Sequence, residues 1–182
     1  MSIDAKFEKI SQYENDEMVV IPTRKTAASA GYDFYAAETT IIPSYRHMIE
    51  CFPDAILERT LTFEETEDIF KKYKKKVTLV PTGIKCKLPK GYFLQLSARS
   101  SLPLKHWLIV ANGVGIIDAD YYNNSDNEGH IYFQIINLAP WDMIIEKGYC
   151  FGQGIILPYE TTSDDDNNTV IRSGGLGSTS ES

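Results

Sequence analysis

Two strings in this 182-residue chain combine residue types that could do chemistry. In Ser97-Ala98-Arg99-Ser100-Ser101 a guanidinium stands among hydroxyls and main-chain donors, a natural cradle for an anion. An ordinary turn carrying a surface arginine would be written the same way. In Asn112-Gly113-Val114-Gly115-Ile116-Ile117-Asp118-Ala119-Asp120-Tyr121, glycines around an apolar run fit a hairpin whose backbone a ligand approaches closely. Ile116 and Ile117 put Asp118 at the rim of a buried surface, where a carboxylate facing a water can act as general base. The plainer account is a hairpin end with its aspartate in a turn. A third stretch, Gly174-Gly175-Leu176-Gly177-Ser178-Thr179, offers unhindered backbone N–H groups and two hydroxyls, which suits a phosphate. The same composition also describes a flexible tail.

The elements that must position these strings read as short strands. Val77 to Val80 ends at Pro81, and Thr82-Gly83 turns the chain into Ile84, Cys86 and Leu88, which alternate with lysines at the period of a half-buried strand. Tyr92 to Leu96 follows Pro89-Lys90-Gly91. Ile131, Phe133 and Ile135 alternate with Tyr132 and Gln134, and Met143 to Ile145 and Gly154 to Leu157 add two more runs. Strands this closely spaced, with no strand–helix alternation, predict an all-β antiparallel barrel or jelly roll. One helix is predicted over about 62 to 74, inside a segment of about 44 to 76. There Thr62 and Glu65 form a capping box, Phe63, Ile69, Phe70 and Tyr73 share a face, and lysines crowd the C-terminal turns. Residues 1–159 are expected to form one β domain, and 160–182 a flexible C-terminal arm.

Composition sets the outer bounds. Hydrophobic residues make up 43% of the chain, enough for a core, and 18 basic against 25 acidic side chains give a net charge of -7. That balance argues against a nucleic-acid binder, which carries a basic face. Apolar runs are too short to span a bilayer, and MSIDAKFEKI lacks the apolar stretch of a secretion signal, so a cytoplasmic protein is expected. Cys51, Cys86 and Cys150 form no C-x-x-C pair, and only His47 and Cys51 fall at metal-ligand spacing. Neither a structural zinc site nor a disulfide framework is expected.

Read in order, five segments resemble the motifs of the trimeric dUTPase (dUTP diphosphatase) family. Ala30-Gly31-Tyr32-Asp33-Phe34 is similar to A-G-x-D-L, Arg99-Ser100-Ser101-Leu102 to R-S-S-L, and Gly115-Ile116-Ile117-Asp118-Ala119-Asp120-Tyr121 to G-x-I-D-x-D-Y. Gly148 to Gln153 resembles G-D-R-I-A-Q, and Arg172 to Thr179 the Gly-rich arm, R-G-x-G-G-F-G-S-T. The resemblance implies a jelly-roll-like β-barrel of the dUTPase type. The implied reaction is hydrolysis of dUTP to dUMP and pyrophosphate on Mg2+, which cleans the nucleotide pool and supplies dUMP. Asp118 would activate the water that attacks the α-phosphorus. Tyr121 would lie under the deoxyribose and leave no room for a 2′-hydroxyl. Asn112 and the hairpin backbone from Gly115 to Ile117 would read the uracil edge and exclude thymine's methyl. Arg99, Ser100, Ser101 and Gln153 would hold phosphates, and Asp33 would touch magnesium's water shell. Arg172, Leu176, Gly177, Ser178 and Thr179 would close over the nucleotide from the arm. The family's sites combine three subunits, so a homotrimer with shared active sites is implied.

The chain also departs from the pattern. Tyr122 to Gly129 replaces the R-G-E that follows the third motif, Tyr149-Cys150 replaces Asp-Arg in the fourth, and the arm is one residue shorter between Arg172 and Gly174. Leu176 stands where the family has a phenylalanine stacked on uracil. Two other readings share the fold. A dCTP deaminase also has R-S-S-L, but here Leu104 stands in place of its arginine and Gln134 in place of its catalytic glutamate. A nucleotide-sensing regulator would bind a protein partner through the inserted segments at 44–76 and 123–128.

Overall fold

The computed structural model describes residues 3–50, 52–72 and 77–165. In chain order the elements are β1 (Lys6–Lys9), β2 (Tyr32–Tyr35), β3 (Thr40–Ile42), α1 (Tyr45–Ile49), α2 (Asp54–Leu57), α3 (Phe63–Lys72), β4 (Thr78–Pro81) and β5 (Ile84–Lys87). They continue with β6 (Tyr92–Ala98), α4 (Ser101–His106), β7 (Leu108–Val110), β8 (Gly115–Ile117), β9 (Tyr132–Asn137), β10 (Met143–Ile145) and β11 (Cys150–Pro158). Every pairing between these strands is antiparallel.

Two sheets enclose the core. One has the order β2-β11-β6-β8 and the other β4-β9-β7, while β1-β5 and β10-β3 form two-stranded ribbons. The alternation along β6 and β9 decides what each sheet buries. Leu94 and Leu96 from the first sheet meet Phe133 and Ile135 from the second, all nearly inaccessible to water. Aromatic side chains join the layers: Phe133 stands 5.7 Å from Phe34 of β2 and 4.9 Å from Phe151 of β11, ring centre to ring centre. Gly152 is required at this contact, because a Cβ there would stand 2.5 Å from the Phe133 ring. The predicted all-β jelly-roll architecture is the one found.

The segment at 44–72 holds three helices where one was expected. The capping box forms as read: Thr62 N–H donates to Glu65 Oε2 (2.9 Å) and Glu65 N–H to Thr62 Oγ1 (3.2 Å). The helix it starts runs to Lys72, and residues 73–76 lie outside the described residues. Ahead of it, Ser44 caps α1 by accepting from His47 N–H (2.9 Å), and Pro53 leads into α2. The apolar face of α3 stays largely uncovered in this chain. Phe70 meets Phe52 at 6.2 Å, but Phe63 is 94% exposed.

Candidate active site

The first group of candidate residues is gathered by strand register. Asp33 in β2 pairs with Gln153 in β11, which pairs in turn with Ser97 in β6. Directly opposed residues project to one face, so this row points away from the core that Phe34 and Leu96 fill. Arg99 leaves β6 with its N–H on Phe151 O (3.1 Å), and α4 starts two residues later. Ser100 sits at the helix start in a helical conformation, and its hydroxyl makes no cap bond. Ser101 is the half-buried first residue of α4. Asp33, Arg99, Ser100 and Gln153 line a cleft of about 240 Å³.

Asp33 gives this cleft its character. It is only 7% exposed, Arg99 Nε lies 3.6 Å from its Oδ1, and its Oδ2 is buried without a hydrogen-bond partner. A buried carboxylate oxygen left unpaired is costly, and a hydrated cation or a ligand donor would satisfy it. Gly31 makes room for the neighbouring amide: a Cβ there would stand 2.7 Å from Gln153 Oε1. Three lining residues carried no motif signal of their own as ligands: Lys25, Ser29 and Gly31, all from the loop before β2. Composition gave no hint of the first two, which lie some seventy residues before Arg99 in the chain.

The second group forms around the hairpin into β8. Gly113 N–H donates to Val110 O (3.0 Å) and Val114 N–H to Asn112 O (2.8 Å), which leaves Asn112 exposed at the turn. β8 then pairs with β6 so that Gly115 faces Leu96 and Ile117 faces Leu94. The side chain of Ile117 enters the core, so its backbone is what it can present to a ligand. Leu96, Asn112, Gly115 and Ile117 share a small hollow of about 50 Å³ with Tyr132 and Gln134 of β9. Asp118 follows in extended conformation, exposed at the sheet's edge, and leads a 3-10 turn over Ala119–Tyr121.

Tyr121 is locked from behind. It is 3% exposed, its hydroxyl donates to His130 O (2.9 Å), and Asn127 Nδ2 donates to that hydroxyl (2.9 Å). The Tyr122 to Gly129 insertion supplies these bonds. Asn124 Nδ2 donates to Tyr121 O (2.9 Å) and Asn127 Oδ1 (2.8 Å), while Asn124 Oδ1 accepts from Asp126 N–H (3.0 Å) and Asn127 N–H (3.1 Å). Ser11 binds Glu128 from the other side of the loop and, as the main cause, holds its carboxyl below the usual range. His130 Nε2 accepts from Gly83 N–H (2.9 Å), and burial pulls the imidazole down to about 4. The Tyr122 to Gly129 segment is therefore a polar brace behind Tyr121.

The structure brings Asp33, Arg99, Ser100 and Gln153 together, and Asn112, Gly115, Ile117, Asp118 and Tyr121 together, but it does not bring the two groups to one place. Ile117 faces Leu94 and Ala98 ends β6, so Asp118 and Arg99 lie at opposite ends of that strand. Six residues at about 3.3 Å each separate the two ends by about 20 Å. Arg172, Leu176, Gly177, Ser178 and Thr179 lie outside the described residues. Among the described residues no cluster of three or more His, Cys, Asp and Glu side chains could hold a metal, and no helix is long and apolar enough to cross a membrane. Cys86 and Cys150 are free thiols; Cys86 is buried, which pushes it up to about 12.

Residues 64–180 match the dUTPase family model, a span that covers four of the five motifs, the arm among them. A deoxyuridine 5′-triphosphate nucleotidohydrolase of Lactococcus lactis is 37% identical over 174 residues, 95% of each chain, and so takes in the first motif as well. The crystal structure of a dUTPase from Streptococcus mutans is 35% identical and superposes with a TM-score of 0.66, covering 86% of this chain and 97% of that one. A variant dUTPase of phage phi11 of S. aureus, solved with a structural Mg(II) ion, shares the fold at 18% identity and a TM-score of 0.57, covering 87% of this chain and 92% of that one. By its motifs, its fold and a relative matched along nearly its whole length, this chain belongs to the dUTPase family.

Proposed function

We propose that this protein hydrolyses dUTP to dUMP and pyrophosphate. The observation that carries the reading is one sheet with a phosphate-type cleft at Arg99 and a base-sized hairpin hollow that ends at Asp118. The amide of Asn112 and the backbone of Gly115 to Ile117 read the uracil edge. The hollow is small and Leu96 is among the side chains that line it, which disfavours the extra methyl of thymine. Tyr121 meets the sugar with its ring, because its hydroxyl is already bonded to His130 and Asn127. A ring held this way cannot step back to admit a 2′-hydroxyl. Asp118 orients a water in line with the α-phosphorus and takes its proton.

Arg99, Ser100 and Gln153 hold the phosphates in the cleft, with Ser101 supporting them from the start of α4. The donor set fits magnesium bound through its waters: the unpaired Asp33 Oδ2 is an acceptor for a coordinated water, and among the described residues no cluster of direct ligands surrounds it. Bound there, the ion would neutralise charge on the phosphate oxygens. The 20 Å or so between Asp118 and Arg99 favours a site shared between copies, one chain's carboxylate meeting another's cleft. A homotrimer is the assembly we infer, with Arg172, Leu176, Gly177, Ser178 and Thr179 of the arm closing over the nucleotide. Pyrophosphate release from dUTP, dCTP, dTTP and UTP, with magnesium and with EDTA, tests the reading. Release from dUTP alone, abolished by EDTA, is expected; no release from dUTP would overturn it.

A further inference from the structure

The cleft has a second cation that no motif announces. Lys25 lines it together with Arg99, on a loop that is stitched to itself and to β2. Arg24 Nη1 donates to Ala27 O (3.0 Å) and Ser29 O (2.9 Å), Thr26 and Ser29 exchange hydrogen bonds through backbone and hydroxyl, and Asp33 N–H donates to Thr23 O (3.0 Å). The base of Lys25 thus lies two residues from Thr23, the residue bridged to Asp33. Its ammonium stands 5.5 Å from the centre of the Tyr35 ring, exposed to solvent. The Tyr35 hydroxyl, and to a smaller degree Asp33, raise its affinity for a proton, so it stays charged at neutral pH.

Charge bookkeeping gives this lysine a task. Among the described residues Arg99 is the other cation lining the cleft, and it already faces the carboxylate of Asp33. A nucleoside triphosphate brings several negative charges to a protein of net charge -7, and a paired arginine offsets few of them. An ammonium on a flexible stem, stored against an aromatic face, can leave that face for a phosphate at little cost. We propose that Lys25 is a phosphate-binding side chain of the cleft: it swings from Tyr35 onto the pyrophosphate end of the substrate and sets affinity for the triphosphate rather than the rate of cleavage. The inference rests on the reading of the cleft as the phosphate site of a dUTPase. Nothing in the reacting geometry requires Lys25, so its contribution falls on ground state and transition state alike.

The test compares Lys25→Ala and Lys25→Arg with Lys90→Ala, an exposed lysine outside both groups that loses the same charge. For Lys25→Ala, KM for dUTP should rise about tenfold with kcat within about twofold, and calorimetric binding of magnesium pyrophosphate should weaken by about the same factor. Lys25→Arg should restore most of both losses, and Lys90→Ala should change neither. Unchanged KM and pyrophosphate affinity in Lys25→Ala would overturn the proposal, as would equal losses in Lys90→Ala, which would reduce the effect to net charge. The two readings fail separately. A parent protein that binds magnesium pyrophosphate through Lys25 but releases none from dUTP breaks the activity and keeps this site. A parent protein that turns over dUTP with Lys25 silent does the reverse.

Discussion

The two ends of β6 are built to opposite rules. At the Arg99 end polar groups are left wanting: Asp33 Oδ2 is buried without a partner, the Ser100 hydroxyl caps nothing, and Gln153 reaches Ala98 O only at 3.5 Å. At the Asp118 end the supporting groups are saturated. Asn124 alone makes four bonds within the loop, and Tyr121, Asn127 and His130 are tied to one another and to Gly83. Unmet hydrogen-bonding capacity is what a charged ligand and its ion can use, so on the proposed reading the first end is a place to bind. Satisfied networks hold the Tyr121 ring still, so on the proposed reading the second end is a place to discriminate and react. The lesson is that one strand can serve both tasks because each end is finished by different, distant segments.

Perturbations at the Asp118 end should therefore cost rate or stability, and the largest cost should come from the carboxylate itself. Asp118→Asn should lower turnover about a thousandfold, measured as pyrophosphate release, while dUTP binding stays within a few-fold by calorimetry. Turnover near normal would move the base elsewhere and dissolve the contrast between the ends.

Acid should attack the same end next. His130 titrates near 4 in the folded chain and near 6.5 when unfolded, so between those values the unfolded chain binds the extra proton. The contribution is complete above about pH 6.5 and is lost as pH falls toward 4, at most about 3 kcal/mol. Urea unfolding at pH 7, 5.5 and 4.5 reads this, and a flat profile after replacement of His130 by Asn would assign the slope to the imidazole.

Asn124→Ala removes the hub of the brace. It strips one donor from Tyr121 O and the shared acceptor from the part-buried N–H groups of Asp126 and Asn127, and should cost about 1–3 kcal/mol in denaturant unfolding, with kcat lowered because Tyr121 loosens. A loss of stability with kcat intact would make the insertion a structural patch only. The smallest effect marks the baseline outside both ends: Phe63→Ser on α3, where the ring is 94% exposed, should shift stability by less than about 0.5 kcal/mol and leave turnover unchanged.

Much of the scaffold was legible because its signals are local. The alternation of Ile84, Cys86 and Leu88 is the burial pattern observed from β5 into the turn that follows, and the Thr62–Glu65 box starts α3 within a residue of the expected place. Three short helices escaped. α1, α2 and α4 have four to six residues each, too few for a 3.6-residue period to show, and α4 follows Arg99 where a simple turn read equally well. Ser44 before α1 was the one usable signal, since its side chain makes the cap that its residue type favours.

The sequence by itself determined the chemical inventory: which residues are acids, guanidiniums, hydroxyls and glycines, their order along the chain, and which faces of the strands are apolar. Those properties depend on side-chain type and on contacts a few residues apart. Only the tertiary structure decided that Lys25 and Ser29 line one cleft with Arg99, that Asp33 keeps a buried oxygen unpaired, and that Asn124 and Asn127 brace Tyr121 rather than hang in solvent. It also set Asp118 and Arg99 at opposite ends of β6. Each of these follows from register between strands far apart in the chain, and register is fixed by the packing of the whole core, not by any segment's own preference.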